Sequence, residues 1–126
     1  MLCANERFAV SFHLSGGQCH DAPEGRKLLE NTGPVDTPIS LLMDRAYEGE
    51  NTRDTALALG YSLCVPPKSN RKVTWGYDKE LYKYRNVIER LFRRLKAFRR
   101  VFTRYDKLDC VFITFICFAL VFDSLR

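Results

Sequence analysis

The chain has 126 residues, of which 46% are hydrophobic and 28% charged, with a formal net charge of +5. That composition is sufficient for one domain with a core and excludes a disordered tail. The five cysteines (Cys3, Cys19, Cys64, Cys110 and Cys117) are odd in number and contain no Cys-x-x-Cys pair, which argues against a disulfide framework or zinc knuckle and suits reduced thiols in a cytoplasmic protein.

In chain order, MLCANERFAV lacks a basic lead and a long apolar core, so no secretory signal is expected. Residues 7–14, RFAVSFHL, alternate and end at Gly16 and Gly17, which predicts a strand, with residues 1–5 as the remnant of a preceding one. His13, Cys19 and His20 lie close in sequence, but adjacent residues in a strand or turn rarely point at one ion, so a structural role is expected. Residues 21–30, DAPEGRKLLE, predict a short helix. Residues 39–43, ISLLM, predict a buried strand closed by Asp44 at its carboxyl end, and in open sheets with helical crossovers ligand sites gather beyond such ends. A helix over 50–59 stopped by Gly60 and a strand over 61–65 follow. Residues 66–76, PPKSNRKVTWG, form a loop in which Lys68, Arg71 and Lys72 beside Trp75 either grip a nucleic-acid backbone and stack on a base or make a solvated loop with a half-packed tryptophan.

Residues 77–107 organise the rest. Leu81, Tyr84, Ile88, Leu91, Leu95, Phe98 and Phe102 recur at steps of three and four, which predicts one long helix with a buried seam. A second row, Tyr82, Arg85, Glu89 and Lys96, lies one residue further round. Glu89 is the only acid between Glu80 and Asp106, amid Arg85, Arg90, Arg93, Arg94 and Lys96. It is either a metal-holding carboxylate beside bound phosphate or a member of ordinary helical ion pairs with Arg85 and Arg93. The apolar run 110–122 has thirteen residues, short of the roughly 18–20 that span a bilayer, and predicts a buried closing helix.

Charge is unevenly placed. Residues 83–107 hold ten basic side chains against Glu89 and Asp106, whereas residues 1–82 hold nine basic against eleven acidic. A concentrated basic face suits a polyanion, DNA or RNA above all. Anionic membrane surface is the rival, but the apolar stripe is needed for a core and no membrane partner is expected.

The row Tyr82, Arg85, Glu89 and Lys96 resembles the signature around the last catalytic acid of bacterial insertion-sequence transposases of the DDE type. MDRAYEG at 43–49 resembles the segment bearing the second acid, PPKSNRK at 66–72 the loop before the last helix, and FHLSGGQCHDAPEG at 12–25 the preceding strand and turn. FRRVFTRYDKL at 98–108 is also typical. Four motifs in order most closely resemble the insertion sequence five family.

The resemblance implies an α/β, partial ribonuclease-H-like fold, with a short sheet flanked by helices, a long basic helix and a closing apolar helix. It implies DNA transposition by metal-dependent phosphodiester cleavage and strand transfer, with Asp44 and Glu89 as the second and third acids and as ligands of Mg2+ or Mn2+. Tyr82, Arg85 and Lys96 would meet DNA, joined by Arg93, Arg94, Lys68, Arg71 and Lys72. The family's first aspartate lies upstream of the segment resembling 12–25, so the expectation is the C-terminal part of one catalytic domain, inactive alone, whose partners are DNA, a second copy or an upstream segment. Such a protein works in the bacterial cytoplasm, on the nucleoid when bound to DNA. The alternative is a non-catalytic, basic DNA-binding module.

Overall fold

A computed structural model describes all residues, Met1–Arg126. The chain is mixed α/β and divides into two compact units, Ser15–Arg85 on the one hand and Met1–Leu14 with Asn86–Arg126 on the other.

In Ser15–Arg85, α1 (Asp21–Thr32) leads to β3 (Ile39–Leu42), a 3-10 turn (Arg45–Tyr47), α2 (Glu50–Ala58), β4 (Tyr61–Cys64) and α3 (Lys79–Tyr82), with β1 (Leu2–Cys3) and β2 (Ala9–Ser11) belonging to the other unit. β3 and β4 pair in parallel, Ile39 opposite Tyr61 through Leu42 opposite Cys64. Parallel neighbours need a crossover, and α2 supplies it. Leu59 ends α2, and Gly60 follows at φ 89°, where an added Cβ would sit 2.9 Å from the Val35 carbonyl oxygen. Glycine is the residue that takes this conformation without strain. α1 packs on α2, and α2 on β4, over a core that includes Leu28, Leu29, Leu41, Ala56, Tyr61 and Val65. β3 is less buried than its apolar sequence predicts: with β4 its only neighbour, Ile39 remains 50% exposed.

In the other unit, β1 (Leu2–Cys3) pairs antiparallel with β2 (Ala9–Ser11) as a second two-stranded sheet. The single short sheet expected from the sequence is therefore two small ones, and the strand predicted over 7–14 keeps only three residues in the ladder. α4 (Asn86–Leu95) and α5 (Arg99–Phe102) pack on α6 (Asp109–Ser124). Leu91, Leu95 and Ala119 form the buried centre, with Met1, Cys3, Ala9, Phe98, Val101 and Leu120 against it.

The long basic helix is a correction. Residues 77–107 give α3, a 3-10 turn (Lys83–Arg85), α4 and α5 rather than one rod. At the end of α4 the amides of Ala97 and Phe98 bond three residues back, to Arg94 and Leu95, and Phe98 becomes extended at φ −80°, ψ 109°. This break lets Phe98 meet Phe122 edge-on at 5.9 Å and places Val101 on the core. Tertiary packing here overrides a helical pattern that propensity alone would continue. The seam is accordingly buried only at its middle: Leu91 and Leu95 are inaccessible, while Tyr84 and Phe102 are each 67% exposed.

α6 is also not buried all round. Phe112, Ile116, Ala119 and Asp123, at steps of four, three and four, form its buried stripe, and Phe118, Val121 and Leu125 face outward. No helix is long and apolar enough to cross a membrane.

Candidate functional site

Asp44 follows β3 directly, in extended conformation at φ −69°, ψ 160°, where its carbonyl accepts the amide of Tyr47 at 2.9 Å and opens the 3-10 turn. The carboxylate does not cap that turn. It accepts instead from Arg85 Nη1 at 3.4 Å, a contact spanning 41 residues that joins the MDRAYEG segment to the signature stretch. The Asp44 side chain is 54% exposed and the bond is long, so the pair contributes only about 0–1 kcal/mol. Its value is geometric.

Two phenols, Tyr82 and Tyr47, lie near this acid. The Arg85 guanidinium lies 5.8 Å from the Tyr82 ring centre, and Tyr82 meets Tyr77 edge-on at 5.5 Å. Burial and the nearby Asp44 charge raise the Tyr82 phenol above its ordinary pKa, and Arg85 pulls the other way. Tyr47 is likewise raised, by burial first and then by Asp21 and Asp44. Its ring rests on α1 at Gly25, where an added Cβ would lie 2.6 Å away. Both phenols are thus neutral hydrogen-bonding groups near a carboxylate at ordinary pH.

The basic loop 66–76 is held tightly. Arg71 Nε donates to Glu48 Oε2 at 2.5 Å, Arg71 Nη2 reaches the Glu48 carbonyl at 3.4 Å, and Lys68 Nζ stands 3.8 Å from Glu48 Oε1. Burial would lift the Glu48 pKa, but the Arg71 hydrogen bond and charge, with Lys68, hold it below the usual carboxylate range. Trp75 donates its indole N–H to the Val65 carbonyl at 2.8 Å, and the guanidinium groups of Arg53 and Arg71 lie 3.9 and 4.9 Å from its ring centre. Of the two alternatives left open for this tryptophan, stacking on a base or half-packing in the loop, the contacts show the second: it seats the loop. Lys72 is exposed.

The remaining expected residues lie in the other unit. Glu89, in the first turn of α4, is exposed, where the helix dipole favours a negative charge. Arg93 and Lys96 are exposed. Arg94 is not displayed as they are: its Nε donates to both carboxylate oxygens of Asp123, at 3.0 and 2.9 Å, and Asp123 is 3% exposed.

Sequence reasoning missed two residues, Glu48 and Asp123. Asp123 is legible in retrospect as an acid in the fourth position of an apolar stripe. Glu48 had no comparable signal. The structure brings Asp44, Tyr82 and Arg85 together, and ties Lys68 and Arg71 to Glu48. Nowhere do three or more His, Cys, Asp or Glu side chains form a group that could hold a metal ion.

No curated protein matches the chain, and no solved structure does. A family model does, described as a transposase DDE domain and aligned with residues 1–122. This match takes in both compact units and all the motif segments above, and by it the chain belongs to the transposase DDE domain family.

Proposed function

We propose that the chain is the C-terminal part of the catalytic domain of a bacterial insertion-sequence transposase of the insertion sequence five type, built on a partial ribonuclease-H-like fold. Its reaction is DNA transposition through phosphodiester cleavage and strand transfer, with Asp44 and Glu89 as the second and third acids. The observation that carries this reading is the Asp44–Arg85 contact: an acid just past a parallel strand meets the arginine of the Tyr-Arg-Glu-Lys row. Ligand sites of open α/β sheets lie at such strand ends. Arg85 and Lys96 then serve phosphate oxygens, and the neutral Tyr82 phenol orients the strand.

Divalent metal is the cofactor of this family's chemistry, and Mg2+ or Mn2+ is proposed here. Such ions take several hard oxygen ligands. Asp44 is a ligand of that kind but faces Arg85, and no group of three donors forms. The donor set of these residues does not make up a metal centre by itself, and the family's first aspartate, which matches no motif of this chain, is the proposed completing ligand. Alone the chain is inactive.

Joined to a segment carrying that aspartate, it should nick DNA in magnesium. Asp44→Asn and Glu89→Gln should each abolish nicking, and Glu89→Gln should hold or raise DNA affinity by removing a negative charge. Nicking that survives both substitutions sinks the assignment. A non-catalytic DNA-binding module is the second reading, favoured by the charge: residues 1–14 and 86–126 hold ten basic side chains against five acidic, and residues 15–85 ten against ten. It predicts binding with no nicking in the completed protein.

A further inference from the structure

A buried carboxylate is costly unless it is paired and hydrogen-bonded, yet Glu48 is 6% exposed, four residues beyond Asp44, in a short turn at the surface. What it pairs with is the basic loop. Arg71 reaches Glu48 through both its side-chain acid and its backbone carbonyl, at 2.5 and 3.4 Å. A turn closes the loop on itself, the Arg71 amide donating to the Lys68 carbonyl at 3.1 Å. Trp75, bonded to the Val65 carbonyl beside buried Val65 and Pro66, holds the far end. Arg71 therefore has its guanidinium occupied by buried Glu48, by exposed Glu50 at a looser 4.0 Å, and by an indole, whereas Lys72 beside it is exposed and Lys68 is 53% exposed at a loose 3.8 Å from Glu48.

We infer that Glu48 is a positioning residue that holds Arg71 inside the protein and ties the loop to the turn carrying Asp44, leaving Lys68 and Lys72, whose exposed and flexible side chains reach solvent with or without the tether, as the loop cations that meet the DNA backbone. This deepens the DNA reading proposed above and rests on it. It divides three neighbouring cations that look alike in sequence into one tether and two contacts. Direct phosphate contacts and internal pairs differ in a measurable way: each phosphate neutralised by a cation releases counterions and steepens the salt dependence of binding, and an internal pair does not.

The test uses the full chain, hydrogen–deuterium exchange, and titration of a mixed-sequence DNA duplex across salt concentrations. Glu48→Gln and Arg71→Gln should each speed exchange at the 66–76 amides by roughly tenfold or more, the worth of one charge-assisted hydrogen bond. The double substitution should be no faster than either alone, and exchange in α1 should stay as it was. Lys72→Ala should lower the salt slope by about 1, and Arg71→Gln should leave the slope at the parent's value. Once the intrinsic pH dependence of amide exchange is divided out, acidification should bring the parent's loop protection down to that of Glu48→Gln and change that variant's far less, since the other acid beside Arg71, Glu50, is exposed and 4.0 Å away. An Arg71→Gln slope that falls as far as that of Lys72→Ala, or loop exchange unchanged in Glu48→Gln, overturns the inference while leaving the DNA reading intact. A parent chain that binds no duplex overturns both.

Discussion

In Ser15–Arg85 ten basic side chains face ten acidic ones, and many close on acids or rings: Arg85 on Asp44, Arg71 on Glu48, Arg53 over Trp75. In Met1–Leu14 with Asn86–Arg126 the balance is ten to five; Arg93 and Lys96 are exposed, and Arg99 and Arg100, exposed as well, lie over the Tyr105 and Phe115 rings with no acid to neutralise them. The first unit uses charge to fix loops around an acid at a strand end; the second holds itself together with apolar helices and displays its surplus cations. The net charge of the chain is thus a property of one unit, which is the form a polyanion-binding surface takes.

The largest expected effects probe what holds the basic unit together. Leu91 is inaccessible, so Leu91→Ala should cost about 2–5 kcal/mol through lost burial and a cavity. Phe102, on the same predicted seam but 67% exposed, should cost well under about 1 kcal/mol on the same change. Denaturant titration followed by helix circular dichroism measures both. Equal losses would restore the seam as one continuous buried stripe.

Next comes the ion pair between α4 and α6. Asp123→Ala leaves the Arg94 guanidinium without its carboxylate at a site already holding one buried, unsatisfied nitrogen, Nη2. Breaking a buried pair from one side costs about 3–5 kcal/mol, and because a third of the Arg94 side chain is exposed the lower end is expected. Asp123→Leu, which completes the apolar stripe, should not recover that loss, since the arginine still lacks its partner. Recovery would mean that the pair is dispensable.

The sequence announced local order better than it announced tertiary choice. Alternation of strands and helices through residues 9–64, the stop at Gly60 and the place of Asp44 past β3 all follow from short-range signals of period, turn chemistry and capping, and they stand in the structure. What failed was extrapolation of a period. Seven apolar residues at helical spacing predicted a single helix, but Phe98 leaves the helix to pack on Phe122, a partner that sequence distance hides. Acids were misjudged for the same reason. Glu48 looks like any surface carboxylate until Arg71 is found beside it, and Asp123, though its place on the apolar stripe marks it, has no visible partner until Arg94 is found there.

Arg93 and Arg94 sharpen the contrast between displayed and committed charge, because they are adjacent and both were expected at DNA. Arg93→Ala should lower the salt slope of duplex binding by about 1 with little change in stability. Arg94→Ala should lower stability, because it strands Asp123, and should leave the slope unchanged in chain that remains folded. A slope that falls for Arg94 and not for Arg93 would reverse the roles given to them.

Acid sensitivity should separate the units more gently. Glu48 is held below the usual carboxylate range in the folded chain, so its pairing contributes stability that is fully present above the unfolded pKa and is lost as pH falls through the folded one. At the alkaline end the sign is opposite. Burial raises Cys64, Tyr47 and Tyr82, so the structure around them is favoured below their ordinary pKa values and weakens as pH rises through the folded values. Ser15–Arg85 should therefore loosen on both sides of a neutral plateau. Protection of the loop amides, with the intrinsic pH dependence of exchange divided out, should report the acid arm and tyrosinate absorbance the alkaline one. Because Glu48 is neutral in the acid form whichever residue pairs with it, the decisive comparison is Arg71→Gln. That variant should have lost most of the acid arm while keeping the alkaline arm, since its substitution touches Glu48 and leaves the tyrosines where they are.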